Sequence, residues 1–220
     1  LAGGAAGGSA WNSAGTWEEK DLSKWAQEAL TAQLKGLQAS AAPTAAEMQA
    51  LVTQQLASLT DSVAAAEAGS MASLTDSAAA TELEEAMAPL LLKVTDVKKC
   101  EGAASVQSSR GKVKHIYDLQ FDIEWEATLQ PLDAAAAAAV ATVGADATPK
   151  KLSVKCKGSL SYAEVSSAAA SVGDFEVTSK YKKAPGAKLK ARADAGVALL
   201  RLEVLKAVEA FAAELKAKSL

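Results

Sequence analysis

Apolar and polar residues alternate strictly between residues 112 and 127, and this alternation is the strongest pattern in the sequence. A period of two is typical of a long β-strand with one buried and one solvent-exposed face. The predicted buried face consists of Val113, His115, Tyr117, Leu119, Phe121, Ile123, Trp125 and Ala127. Weaker patterns at residues 91–108, 152–162 and 175–181 predict three neighbouring strands, and hence a four-stranded antiparallel β-meander.

Apolar residues recur at helical spacing on both sides of this β region. Residues 18–37 have one apolar face, with Thr16 as a candidate N-cap and Gly36 near the predicted end. After a break at Pro185 and Gly186, an apolar stripe predicts a second helix, through Val197, Leu200, Val204, Val208, Phe211 and Leu215. We therefore predict an α+β fold with an N-terminal helix, the four-stranded meander and a long C-terminal helix.

Composition divides the chain into a lead, a domain and an insertion. Residues 1–10 are Gly, Ala and Ser with one Leu, and we expect them to form a flexible lead. Residues 11–218 are predicted to form a single domain, interrupted by an alanine-rich, low-complexity insertion at residues 39–88 that is partly helical. Within the insertion, Ala-Ser-Leu-Thr-Asp-Ser occurs at residues 57–62 and again at 72–77, which indicates local duplication.

The charge balance excludes several classes of partner. The chain has 23 Lys and Arg against 26 Asp and Glu, which gives a formal net charge of -3. This balance argues against a general nucleic-acid binder, since no basic excess is available to neutralise phosphates. No apolar run approaches the roughly 20 residues of a membrane span. Because two cysteines make no disulfide framework, we expect a cytoplasmic protein.

The sequence offers little chemistry for catalysis. Its single histidine, His115, falls on the apolar face of the long strand, where we expect a packed imidazole. Cys100 and Cys156 stand alone, without the C-x-x-C spacing of a zinc site. The acidic residues at even positions from 118 to 126 are expected to form a solvated acidic edge. We therefore expect a protein that is not an enzyme and has no metal site or cofactor.

The polar face of the long strand is a candidate docking surface. It begins with the basic residues Arg110, Lys112 and Lys114, continues through the apolar Ile116 and becomes acidic at Asp118. An apolar centre between opposite charges can supply burial while the charges fix the orientation of a partner. The alternative is that a single exposed apolar residue is common and needs no functional explanation.

Three stretches resemble the N-terminal domain of the activator of Hsp90 ATPase family. Residues 17–25 are similar to the family's Trp-x-Glu-Lys-(Asp/Asn)-x-x-x-Trp opening of its first helix. Residues 99–119 are similar to the family's segment in which a turn leads into a long strand. The predicted C-terminal amphipathic helix is the third match. The resemblance implies a cochaperone that docks on the middle segment of heat-shock protein 90 and promotes ATP hydrolysis by that chaperone.

The resemblance also assigns residues to the expected interface. The family's basic Arg-Lys-x-Lys motif corresponds to residues 109–112, so it implies partner contacts by Arg110 and Lys112, with Lys114 beside them. The partner-facing apolar and acidic positions correspond to Ile116 and Asp118. In the family's N-terminal motif, Trp17 is retained.

Departures from the family pattern leave a second hypothesis open. Ser109 replaces the first basic residue of the motif, Ala103 replaces an acidic contact, and Gly15 and Thr16 replace two aromatic residues of the N-terminal motif. The chain is therefore expected to be either a working cochaperone or a structural module held in a larger assembly, in a cilium or axoneme, with a resident protein as its partner. The availability of the polar face distinguishes the two.

Overall fold

The computed structural model describes residues 17–50, 52–53, 56–57, 87–130, 154–167 and 175–218. Within them, six antiparallel strands form one sheet, with a helix near each end of the described chain. The strands are β1 (Trp17–Asp21), β2 (Gln38–Ala41), β3 (Leu90–Ser109), β4 (Lys112–Leu129), β5 (Val154–Ser166) and β6 (Val177–Lys183). The two longer helices of the described chain are α1 (Ser23–Leu34) and α2 (Lys190–Lys216), a short 3-10 turn at Ala187–Leu189 precedes α2, and residues 45–50 are also helical.

The predicted meander forms the centre of this sheet, and the predicted α+β class is confirmed. β3, β4, β5 and β6 are neighbours in that order, each antiparallel to the next. β1 and β2 both pair with β3 and extend the predicted four-stranded meander to a six-stranded sheet. β3 spans 20 residues, so one of its edges accommodates two short strands, β2 near its start and β1 near its end.

The start of the first helix was predicted too early. Residues 17–21 form strand β1, in register with residues 105–109 of β3, and the helix begins at Ser23. Asp21 marks this transition, because its carboxylate accepts hydrogen bonds from the Ser23 backbone N–H, at 2.8 Å, and from the Ser23 hydroxyl. These two bonds lower the pKa of Asp21. The candidate N-cap Thr16 lies outside the described residues.

Both ends of the predicted insertion belong to the folded domain. Residues 39–41 lie in β2, where Ala39 and Ala41 are buried, and Ala88 is buried just before β3. The alanine methyl groups suit a close contact, since a Cβ added to Gly196 of α2 would lie 3.4 Å from the Ala41 Cβ. Residues 39–41 and Ala88, at the two ends of the predicted insertion, therefore contribute to the folded domain. The repeated six-residue segment lies outside the described residues, except for Ala57.

The helices α1 and α2 cover one face of the sheet, and neither of them covers the other face. Phe211 of α2 stacks on Trp25 of α1 at a centroid distance of 5.9 Å and meets the edge of Tyr117 at 5.4 Å. The predicted buried positions of β4 are buried from Tyr117 to Ala127. His115 is half-buried on this same face, with Nε2 at 3.1 Å from the Lys218 carbonyl oxygen, as expected for a packed imidazole.

Candidate docking surface

Four of the residues singled out in the sequence lie on the face of the sheet opposite the helices, and the fifth, Arg110, lies in the turn before β4. We call Arg110, Lys112, Lys114, Ile116 and Asp118 the docking strip. All five are exposed, and the Ile116 side chain is 40% exposed. With a rise of about 3.4 Å per residue, the strand places Lys112 and Asp118 roughly 20 Å apart. The structure therefore brings these residues into one continuous row.

A tight hairpin turn positions the basic end of the docking strip. Arg110 and Gly111 connect β3 to β4 with φ angles of 51° and 73°, and Ser109 pairs with Lys112. Positive φ at both central residues is the signature of a type I′ turn, which matches the twist of the flanking strands. Glycine adopts this conformation freely, whereas an arginine does so at a cost of about 1 kcal/mol.

The cations of the docking strip have no partner within the described chain. No carboxylate among the described residues lies within ion-pairing distance of Arg110, Lys112 or Lys114. Lys112 and Lys114 occupy alternate positions of β4 and Arg110 lies in the turn just before them, so the three charges lie close together at one end of the strand. Their fields add over the basic end of the strip, which favours an anionic partner surface.

The acidic half of the same face, which consists of Asp122, Glu124 and Glu126, is different, because its carboxylates are already paired with lysines. Glu124 of β4 accepts hydrogen bonds from Lys182 and Lys98, and these bonds lower its pKa to about 2. The neighbouring Glu126 pairs with Lys157 at 3.1 Å. The expectation of a merely solvated acidic edge is therefore wrong for Glu124 and Glu126, which belong to an ion-pair network across the sheet.

Small neighbours leave Ile116 uncovered. On β3, Ser105 lies opposite Ile116 and Gln107 lies opposite Lys114. Since neither side chain reaches over the isoleucine, its exposed surface remains an apolar centre between the basic and acidic ends of the strip. Asp118 forms the acidic end, with Ala103 opposite it on β3 and Ser166 opposite it on β5.

An irregular segment of β3 fixes the backbone beside Asp118. The register with β4 shifts between Lys98 and Glu101, and Gly102 follows with a φ of 127°. The Gly102 carbonyl accepts a hydrogen bond from Gln27 Nε2 of α1 at 3.0 Å. A Cβ at this glycine would lie 2.2 Å from the Asp118 carbonyl oxygen, so the close approach of the two strands requires a glycine.

Strand β1 adds residues that the sequence patterns did not indicate. Trp17 pairs with Ser109, so the retained residue of the N-terminal motif lies in the same row as Lys112. Two residues further along β1, Glu19 lies opposite Gln107. The only available signal was the similarity of residues 17–25 to the family motif, which indicated a helix there. Gly15 and Thr16 lie outside the described residues.

Other candidate sites receive no support from the described residues. Cys156 is buried, Cys100 is half-buried, and burial raises the pKa of both thiols. Among the residues that the structure describes, no group of three or more His, Cys, Asp or Glu side chains is arranged to hold a metal ion. No helix in the same part of the chain combines the length and the apolar character needed to cross a membrane.

Comparisons with known proteins agree with this architecture. The family model described as activator of Hsp90 ATPase, N-terminal, matches residues 19–219. The crystal structure of Aha-1 from Plasmodium falciparum superposes with a TM-score of 0.52 at 12% sequence identity, over 90% of this chain and 88% of that one. At this identity the likeness concerns the fold alone. No curated protein matches the chain.

Proposed function

Because this chain belongs to the activator of Hsp90 ATPase family through its N-terminal domain, we propose that it binds the middle segment of heat-shock protein 90 through the docking strip and promotes ATP hydrolysis by that chaperone. The observation that carries the proposal is the charge state of the strip. Arg110, Lys112 and Lys114 are exposed without an ion-pair partner in the described chain, and the exposed Ile116 follows directly.

The acidic half and the docking strip differ in whether a partner must break internal ion pairs in order to bind. A partner at the acidic half would have to compete with the lysines that already pair with Glu124 and Glu126. A partner at the docking strip breaks no internal ion pair and gains charge complementarity, which speeds encounter and fixes orientation. Covering the exposed part of Ile116 adds about 1 kcal/mol of hydrophobic stabilisation.

In this proposal the catalytic groups belong to the partner. A protein that binds one conformation of an ATPase more tightly than another shifts the equilibrium toward the first. A preference of about 1.4 kcal/mol for the hydrolysis-competent state changes that equilibrium tenfold. The domain can therefore raise the ATPase rate with a surface alone, which is what the docking strip provides.

Two substitutions in the docking strip are expected to weaken binding to the isolated middle segment of heat-shock protein 90. Lys112→Glu places a carboxylate among the cations, and Ile116→Ser removes the apolar centre. Each change should cost more than about 1 kcal/mol, and the effect of Lys112→Glu should diminish at high salt. Titration calorimetry of the wild type and both variants at two salt concentrations measures this.

Matched controls separate docking from general effects. Lys24→Glu makes the same charge change on α1, and Val113→Ser removes an apolar side chain that is 52% exposed on the opposite face of β4. Both controls should bind like the wild type. Absence of binding by the wild type at tens of micromolar would contradict the proposal and favour the structural-module hypothesis. Equal losses in the controls and the strip variants would also contradict it.

Arg110→Asn is expected to raise the stability of the domain and to weaken its binding to the partner. Asparagine before Gly111 forms the preferred Asn-Gly pair of a type I′ turn and avoids the cost that arginine bears at a φ of 51°. The free energy of unfolding should rise by about 0.5–1 kcal/mol, while affinity for the middle segment falls with the loss of one cation. Urea denaturation and calorimetry on the same variant test both; a variant that is less stable contradicts the assignment of strain.

A further inference from the structure

The pairing of β1 places a carboxylate on the same face as the docking strip. Glu19 lies opposite Gln107 of β3, and Gln107 lies opposite Lys114 of β4. Paired residues in antiparallel strands project from the same face of a sheet. Glu19 and Lys114 therefore belong to one row across three strands, separated by two strand spacings, or about 10 Å.

Glu19 is held in this row without being neutralised. Gln107 Nε2 donates a hydrogen bond to Glu19 Oε1 at 3.0 Å, and the glutamate remains exposed. No Lys or Arg in the described part of the chain forms an ion pair with Glu19. At about 10 Å, which is roughly one Debye length, its attraction to Lys114 is weakened by salt. The chain thus presents unpaired charges of both signs in a fixed arrangement.

We infer, resting on the docking function proposed above, that Glu19 determines partner orientation by pairing with a basic side chain of the docked protein. That basic group would lie about 10 Å from the acidic groups that meet Lys112 and Lys114. The negative charge of Glu19 on β1 and the positive charges of Lys112 and Lys114 on β4 define a direction across the sheet. A partner turned by half a revolution would bring like charges together, which disfavours the wrong orientation.

A pair of neighbouring glutamates provides the test. Glu18 and Glu19 are both exposed, but Glu18 pairs with Ser108, so the two side chains project from opposite faces. Glu19→Lys should weaken binding to the middle segment of heat-shock protein 90 about tenfold at low salt and less at high salt. Glu19→Gln, which keeps an acceptor for Gln107, should weaken it about threefold. Glu18→Lys should leave the affinity within about twofold of the wild type.

The outcomes distinguish this inference from the proposed function. If the wild type binds and Lys112→Glu weakens binding, but Glu19→Lys and Glu18→Lys behave alike, the role of Glu19 is overturned and the docking strip stands. If the wild type does not bind, both are overturned. Thermal unfolding of every variant shows whether the fold is intact, and if Glu19→Lys unfolds, the loss of affinity in Glu19→Gln decides the result.

Discussion

Gly102→Ala is expected to lower the free energy of unfolding by about 3–5 kcal/mol, although Gly102 lies on the surface. Two independent costs combine. The φ of 127° is a conformation that residues with a Cβ rarely adopt. The new methyl group would also lie 2.2 Å from the Asp118 carbonyl oxygen and 2.8 Å from the Leu119 Cα, and neither backbone atom can turn away as a flexible side chain can.

Two other glycines separate these costs in the same denaturation experiment. Gly111 has a φ of 73° but open space around it, so Gly111→Ala should cost only about 1 kcal/mol of backbone strain. Gly186 has a φ of -61° and open space, so Gly186→Ala should be neutral or slightly stabilising. Equal effects of Gly102→Ala and Gly111→Ala would show that β3 moves away from β4 at no cost, against the close approach seen here.

The long central elements could be predicted because each repeats one pattern many times. The apolar stripe of α2 matches the buried positions that the structure shows, and so does the alternation along β4 from Tyr117 onward, whereas Val113 near the start of β4 was predicted to be buried and is 52% exposed. Such patterns report which side of an element is buried, and an antiparallel meander follows when consecutive strands are joined directly. The location of His115 and Cys156 on the covered face followed from the same argument.

The short strands β1 and β2 could not be predicted, because each forms only by pairing with β3, which is far away in the sequence. Residues 17–21 are mostly charged, and their spacing continues into the helical pattern that follows. They form a strand because the end of β3 offers an open edge nearly 90 residues later in the chain. Residues 38–41 are Gln-Ala-Ser-Ala, a sequence without a clear β-preference, and they pair with the start of the same strand.

The candidate site was predictable as a row of residues and not as an electrostatic surface. The alternation placed Lys112 and Glu124 on the same face of β4. The sequence held no information that Glu124 would meet Lys98 of β3 and Lys182 of β6, while Lys112 would meet no carboxylate of the described residues. That difference depends on the register of β3, β5 and β6 against β4, and it is what distinguishes a docking surface from a charged but satisfied one.

Arg192→Ala is expected to destabilise the chain by about 3–5 kcal/mol, because it would leave the Ala88 carbonyl without this hydrogen bond and the Glu47 carboxylate without its counter-charge. Arg192 is 1% exposed, although arginine is rarely buried to that extent. Its Nη1 donates to the Ala88 carbonyl at 2.7 Å, and its Nε lies 3.3 Å from Glu47 Oε2. These contacts attach both ends of the segment between β2 and β3 to helix α2.

The Arg192 contact is also the feature least accessible to pattern analysis. Glu47 and Arg192 are 145 positions apart, and Glu47 lies in the segment that was predicted to be an insertion foreign to the domain. Thr44 and Glu47 exchange hydrogen bonds, with the Glu47 N–H donating to the Thr44 hydroxyl and the Thr44 N–H to Glu47 Oε2. This capping box begins a helical turn and aims the carboxylate at Arg192.

The charge of Glu47 gives the Arg192 prediction a pH dependence. Burial by itself would raise the pKa of Glu47, but hydrogen bonds from Thr44 and the charge of Arg192 outweigh it and lower the pKa below the ordinary value of 4.5. A lowered pKa in the folded state adds stability that is fully present above the unfolded-state value and is lost as the pH falls through the folded-state value.

Glu47→Gln, which keeps an acceptor for Thr44 and removes the charge, isolates this contribution. The difference in unfolding free energy between the wild type and Glu47→Gln should be largest near neutral pH. It should shrink as the pH falls below about 4.5. The wild-type carboxyl is then protonated, first in the unfolded chain and at lower pH in the folded protein, and it loses the charge that Glu47→Gln also lacks. Urea denaturation of both proteins at neutral pH and at successively lower values measures the difference. A difference that does not change with pH would show that the Glu47 charge contributes nothing to holding Arg192.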